Sequence, residues 1–123
     1  MENQFSIKDK NIILTGASGI LGKKLCQSLL NSGANLALID KNKKTLNKLK
    51  TNLYVVEDNF FKIYVTDLTK EIEVNNTINS ILKKFNSIDV LINNAASKGN
   101  STEDFLLPFE DYKLSTWNEI IEA

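Results

Sequence analysis

Four short apolar runs constrain what this chain can fold into more than any other feature. They are residues 11–15 (Asn-Ile-Ile-Leu-Thr), 35–39 (Asn-Leu-Ala-Leu-Ile), 61–65 (Phe-Lys-Ile-Tyr-Val) and 89–92 (Asp-Val-Leu-Ile). Each reads as a strand, and a segment with helical periodicity separates it from the next. Nearly continuous apolar strands alternating with helices imply a parallel sheet covered on both faces. Right-handed crossovers leave few topologies for such a chain. The expected fold class is therefore α/β, a doubly wound parallel sheet in a single domain over residues 1–123.

The intervening segments supply the covering helices. From Gly19 to Ser32, Leu21, Leu25 and Leu29 recur at spacing four, with Ile20 and Leu30 widening the stripe, and Gly33 closes the helix. Lys41 to about Asn52 places Leu46, Leu49 and Leu53 on one side and lysines on the other. Thr69 stands as the cap of a longer helix with Val74, Ile78, Ile81, Leu82 and Phe85 on one face. The periodicity lapses over residues 97–113, which contain Gly99 and the only proline, Pro108. A loop of that length is usually functional or disordered. A last helix is expected to start near Ser115.

Composition excludes several function classes. The chain has no histidine and no arginine, and its formal net charge is zero. That removes imidazole acid–base chemistry, histidine metal ligands and the basic footprint of a nucleic-acid binder. Cys26 is the only cysteine, so no intramolecular disulfide or multi-cysteine zinc site is available. It reads as a small buried apolar residue. No apolar run reaches the ~20 residues needed to span a bilayer, and Glu2 and Asp9 are foreign to a signal peptide. The reducing cytoplasm is the expected compartment, with neither membrane nor nucleic acid as a partner. The abundance of Lys, Asn and Ile has the look of an AT-rich genome rather than a functional signal.

The chemistry-bearing feature is the turn between the first strand and the first helix, Thr15-Gly16-Ala17-Ser18-Gly19-Ile20-Leu21-Gly22. Gly16 permits a sharp exit from the sheet, Gly19 a close approach of backbone to a pyrophosphate, and Gly22 close packing of the helix on the strand. The first N–H groups of the helix then face the phosphates. Asp40 ends the second strand, near the ~20-residue offset at which a carboxylate receives adenosine ribose hydroxyls. As bland readings, the glycines merely form a tight turn and Asp40 merely caps a helix. Strand–turn–helix context and the second signal at Asp40 favour a dinucleotide.

These residues resemble one family, the short-chain dehydrogenases/reductases. The carrying motifs are Thr15–Gly22, the Asp67-Leu68 pair after the third strand, Asn93-Asn94-Ala95-Ala96 after the fourth, and Trp117-Asn118-Glu119-Ile120-Ile121-Glu122. The resemblance runs from Lys8 onward and implies a Rossmann-like fold, truncated here after the fourth strand and the start of the following helix. It implies that Gly16, Ser18, Gly19, Ile20, Leu21 and Gly22 surround the ribose and pyrophosphate. It implies that Asp40 takes the ribose hydroxyls and that Asp67 and Leu68 meet the adenine. Asn94, Ala95 and Ala96 would floor the adenosine ribose, while Asn93 and Thr15 would tie the first and fourth strands together. The implied cofactor is NAD. NADP is less favoured, admitted only if Lys41, in the cluster with Lys43, Lys44, Lys48 and Lys50, were to receive a 2′-phosphate. One departure stands out: the commonest branch has its middle glycine where this chain has Ile20, whereas here it is Gly19.

The same resemblance implies a catalytic serine, a Tyr-x-x-x-Lys pair and a helical asparagine. The tyrosines are Tyr54, Tyr64 and Tyr112, and four residues on come Asp58, Leu68 and Thr116. None is a lysine. The expectation is the cofactor-binding half of an NAD(P)-dependent oxidoreductase for an alcohol or carbonyl small molecule, inactive as 123 residues and homo-oligomeric when complete. Two alternatives stay open: a non-catalytic dinucleotide-binding module, and an NAD-retaining nucleotide-sugar epimerase or dehydratase.

Overall fold

The computed structural model describes residues 3–97 and 99–122. Strands β1 (Asn11–Thr15), β2 (Asn35–Asp40), β3 (Phe61–Val65) and β4 (Val90–Ile92) form one parallel sheet in the order β3-β2-β1-β4. Helices α1 (Ile20–Asn31), α2 (Lys43–Asn52) and α3 (Glu71–Phe85) connect them. The strand order reverses direction between β1 and β4, which makes a topological switch point above the carboxyl end of β1.

The pleat sends successive strand residues to opposite faces, and in the central strands β1 and β2 both faces are buried. Ile12, Leu14, Leu36 and Leu38 join Cys26 and Leu30 of α1 and Leu46 and Leu49 of α2 in one core. Ile13, Ala37, Ile39 and Tyr64 meet Ile81 and Phe85 of α3 on the other side. Each fully buried Leu or Ile contributes about 1.5–3 kcal/mol. This two-sided burial is why β1 and β2 are apolar without alternation, whereas the edge strand β3 carries an exposed lysine, Lys62.

Periodicity misplaced the buried line of α1 by one residue. Gly22, Cys26 and Leu30 are the buried positions, Leu25 and Leu29 flank them half-buried, and Ile20 and Leu21 are exposed. The reason is the close contact at Gly22, which turns that side of the helix to the sheet. At its far end α1 closes as expected, with Gly33 at φ +84°. The Gly33 N–H donates to the Leu30 carbonyl at 2.9 Å and the Ala34 N–H to that of Leu29 at 3.2 Å. This is a Schellman closure.

Asparagines stitch the amino ends of the strands. Asn11 Nδ2 donates to the Phe85 carbonyl at 3.0 Å, Asn35 Nδ2 to Asn11 Oδ1 at 3.0 Å, and the Phe60 N–H to Asn35 Oδ1 at 3.1 Å. Buried Asn59 donates from Nδ2 to the carbonyls of Leu30 and Ala34, both at 2.9 Å. Part of the asparagine content therefore satisfies backbone groups that the sheet and helix ends leave unpaired.

Residues 97–113, expected as a loop, hold two short elements. These are α4 (Thr102–Phe105), capped by Ser101, and a 3-10 turn at Phe109–Asp111. Helix α5 (Leu114–Ile121) begins one residue before the expected Ser115. No helix among the described residues is long and apolar enough to cross a membrane.

Candidate functional site

The carboxyl ends of the strands open into a cleft of about 480 Å³. The β1–α1 turn forms its near wall, with Gly16, Ser18, Gly19, Ile20, Leu21 and Gly22 all lining it. Asp40 and Lys41 come from the end of β2, Asp67 and Leu68 from the end of β3, and Asn94, Ala95 and Ala96 from the end of β4. The twelve residues expected around NAD, and Lys41 beside them, thus meet at one cavity. The sequence reading missed Asn42, Thr45, Thr66, Thr69 and Ser97, which also line it. The place of Thr66 directly after β3, beside Asp67, is a signal that could have found it; the other four carry no motif.

Two glycines in the turn are sterically required. Gly16 sits at φ +62°, and a Cβ there would lie 2.8 Å from Ala95 Cα. A Cβ on Gly22 would fall 2.7 Å from the Ala17 carbonyl oxygen and closer still to that of Gly16. Gly19 differs: its φ of −73° is ordinary, and a Cβ would meet only the Gly16 oxygen, at 3.3 Å.

The amino end of α1 is left open. Gly19 caps it without a side-chain acceptor, and no acidic residue occupies its first turn. The N–H groups of Ile20, Leu21 and Gly22 have no hydrogen-bond acceptor among the described residues. Ile20 is 87% exposed and Leu21 59% exposed, so nothing shields that end. Unpaired amides at a helix start, reinforced by the helix dipole, form a ready anion site.

Across the cleft, Asp40 is held by the turn itself. Its Oδ2 accepts from the Ser18 N–H at 3.1 Å and the Ser18 hydroxyl at 2.7 Å. The Ser18 hydroxyl also lies 2.7 Å from that of Thr45. Asp40 does not cap α2: the Thr45 N–H is accepted by Asn42 Oδ1 at 3.1 Å, and Asn42 is the cap.

Asp67 does not cap α3 either, and neither does Thr69. The helix starts at Glu71, with Lys70 as its cap residue and no side-chain cap bond. Asp67 Oδ1 instead accepts the Thr69 hydroxyl at 2.7 Å and the Thr69 N–H at 3.0 Å. Those two donors hold its carboxyl below the usual carboxylate range. Glu73 reaches back to accept the Asp67 N–H at 2.8 Å and pairs with Lys70 at 3.2 Å, and its carboxyl is lowered likewise, first by the Asp67 N–H.

The tie between β1 and β4 falls to Asn94 rather than Asn93. Asn94 Nδ2 donates to the carbonyls of Thr15 and Gly16 at 3.1 and 3.2 Å. The Thr15 hydroxyl oxygen accepts the N–H groups of Asn94 and Ala95 at 3.1 and 3.0 Å, and lies 3.4 Å from the Ile92 carbonyl. Asn93 is exposed and makes no side-chain hydrogen bond to the described residues. The side chain two positions past the strand, not the one directly after it, points back over β1.

The family model described as short chain dehydrogenase matches residues 10–123. The chain belongs to this family. Among relatives of the short-chain dehydrogenase chain, an uncharacterized oxidoreductase of Staphylococcus saprophyticus is 36% identical over 118 residues, covering 96% of this chain and 44% of that protein. A short chain dehydrogenase/reductase of Colletotrichum higginsianum is 28% identical, with 98% of this chain and 42% of that protein covered. Among solved structures, a short chain dehydrogenase from Bacillus anthracis superposes with a TM-score of 0.79 at 28% identity, covering 94% of this chain and 45% of that one. An NAD+-bound xylitol dehydrogenase gives 0.77 at 27% identity, covering 94% and 42%. The chain thus spans less than half the length of these relatives.

Proposed function

We propose that this chain is the dinucleotide-binding half of an NAD(P)-dependent short-chain oxidoreductase that interconverts an alcohol and a carbonyl compound. The observation that carries the reading is the open amino end of α1 facing the cleft, with glycine backbone around it and a carboxylate opposite. Free N–H groups of Ile20, Leu21 and Gly22 suit a pyrophosphate, and the absence of a Cβ at Gly16 and Gly22 lets the turn pack closely enough to hold them at the cleft. Asp40 offers Oδ1 to ribose hydroxyls. Asp67 and Leu68 form the wall for an adenine, and Asn94, Ala95 and Ala96 the floor. The bound nicotinamide ring would supply or take the hydride. This chain's part is to bind and orient the adenosine side.

The proton relay is assigned outside these 123 residues. No tyrosine lines the main cleft. Tyr112 donates its hydroxyl to the Phe105 carbonyl at 3.1 Å, Tyr64 is buried under α3, and Tyr54 lies beyond the end of α2. A complete enzyme would act as a homo-oligomer, and a lone buried Cys26 fits a reducing cytoplasm.

NAD is the preferred cofactor because a 2′-phosphate would lie against the Asp40 carboxylate, and like charges in contact cost several kcal/mol. One feature favours a second reading: Lys41 lines the same cleft and is in no ion pair among the described residues, so it is free to meet a 2′-phosphate. Calorimetric titration of the chain with NAD and NADP decides between them. Tighter binding of NAD, eroded in Asp40→Ala, is the expected result. Tighter binding of NADP to the unmodified chain would overturn the assignment.

A further inference from the structure

Asp40 does not set its own orientation. Both Ser18 donors fall on its Oδ2, while Oδ1 receives only a long contact from the Asn42 N–H at 3.4 Å. Oδ1 is thus the oxygen left to accept from a ligand. Behind Ser18 stands Thr45, whose Oγ1 lies 2.7 Å from Ser18 Oγ and 3.1 Å from the Asn42 carbonyl.

Counting hydroxyl protons gives this chain a direction. Ser18 has one proton, and it goes to the carboxylate, which has none to return. A hydrogen bond between Ser18 and Thr45 must then use the proton of Thr45. The order is Thr45 O–H to Ser18 O–H to Asp40 Oδ2, with the Asn42 carbonyl competing for the Thr45 proton. The three residues come from the β1–α1 turn, the end of β2 and the first turn of α2. Ser18 at the centre is buried, so water does not readily replace either partner.

We propose that Thr45 is a positioning residue for cofactor discrimination: it orients Ser18, and Ser18 locks the Asp40 carboxylate in the cleft. The inference rests on the dinucleotide reading given above. A carboxylate pinned through Oδ2 cannot rotate away from a 2′-phosphate, so the repulsion is not relaxed. The same pinning presents Oδ1 ready-made to a ribose diol. Without the Thr45 hydroxyl, Ser18 Oγ loses its donor and is free to turn. Asp40 Oδ2 then keeps the Ser18 N–H as its one fixed donor and swings aside more readily, and the Ser18 hydroxyl becomes available to a phosphate beside Lys41.

The test compares the unmodified chain with Thr45→Val and Thr45→Ser, titrating each with NAD and with NADP and recording a thermal melt. Valine keeps the branched shape and the N–H that Asn42 caps, and removes only the hydroxyl. The ratio of the NADP to the NAD dissociation constant is expected to fall about fivefold in Thr45→Val, the worth of the one neutral hydrogen bond between Thr45 and Ser18. Thr45→Ser is expected to restore it to within about twofold of the unmodified chain. A merely structural role would weaken both dinucleotides alike and leave the ratio unmoved, and that result would overturn the proposal. Should Thr45→Val fail to fold, Thr45→Ala removes the same hydroxyl with less bulk and is read on the same ratio. An unmodified chain that prefers NADP, or binds neither dinucleotide, would overturn the cofactor assignment itself and the relay with it; an unchanged ratio on an NAD-preferring chain sinks the relay alone.

Discussion

Gly22→Ala tests whether the glycine turn is set by packing rather than by helix propensity. The added Cβ would stand 2.7 Å from the Ala17 carbonyl oxygen, with the Gly16 oxygen nearer, and both are main-chain atoms that cannot swing aside. Reaching the 3.4 Å of ordinary contact requires α1 to move 0.7 Å from the Ala17 oxygen and farther still from that of Gly16. That motion is resisted, because Cys26 and Leu30 on the same side of the helix are completely buried against the strands. Overpacking costs about 1–3 kcal/mol, and rigid neighbours place this site at the upper end. Alanine returns about 1 kcal/mol of helix propensity over glycine. The net loss is about 1–2 kcal/mol, which lowers the melting temperature by about 4–8 °C for a chain of this size. The assay is urea and thermal unfolding followed by far-ultraviolet circular dichroism, since Trp117 sits half-exposed on α5 and reports poorly on this core. Gly19→Ala serves as the control: its Cβ meets a single oxygen at 3.3 Å at an ordinary φ, so its melt is expected to stay within about 2 °C of the parent. A Gly22→Ala melt equal to or above the parent's would refute the reasoning.

Three further outcomes are expected. Burial pushes the Cys26 thiol up to about 12, so at pH 8 a disulfide reagent should modify it only as fast as the chain opens; modification of the folded chain at the rate of a free thiol would contradict this. The folded state keeps that proton while the unfolded state releases it from about 9.0, so stability should fall as pH rises from 9 toward 12, with a slope that Cys26→Ala reduces in denaturation midpoints. The 123-residue chain should also show no NAD(P)H-linked turnover of alcohols, sugars or ketones, since a positioned acid–base alone is worth about 10²–10⁴-fold. Turnover that survives Tyr→Phe changes at 54, 64 and 112 would show the chemistry to be misplaced.

The central strands β1 and β2 were legible because they are buried on both faces and so apolar throughout, and the edge strands β3 and β4 because their short runs stay mostly apolar although partly exposed. Helix faces were less so. In α1 the leucines at 21, 25 and 29 outweigh Gly22 and Cys26 in any hydrophobic count, yet the small residues face the sheet because they admit close approach. Leu21 is left exposed beside the cleft. Capping at Thr69 was misread because α3 starts at Glu71 with Lys70 as its cap residue, one position too late for the Thr69 oxygen to accept a helix N–H, and its hydroxyl donates to Asp67 instead.

The sequence by itself determined the order of elements, the glycines that the β1–α1 turn demands and the acidic residues at the strand ends. Each of these is a local property, written in runs of a few residues or in a backbone angle only glycine adopts readily. Only the tertiary structure decided which asparagine ties β4 to β1, which asparagines close the strand ends, and that Thr45 stands behind Ser18 and Asp40. Those contacts join residues 22 to 79 positions apart. Hydrogen bonds of that kind depend on where two elements come to rest against each other, and nothing in the local spacing of a polar side chain encodes its partner.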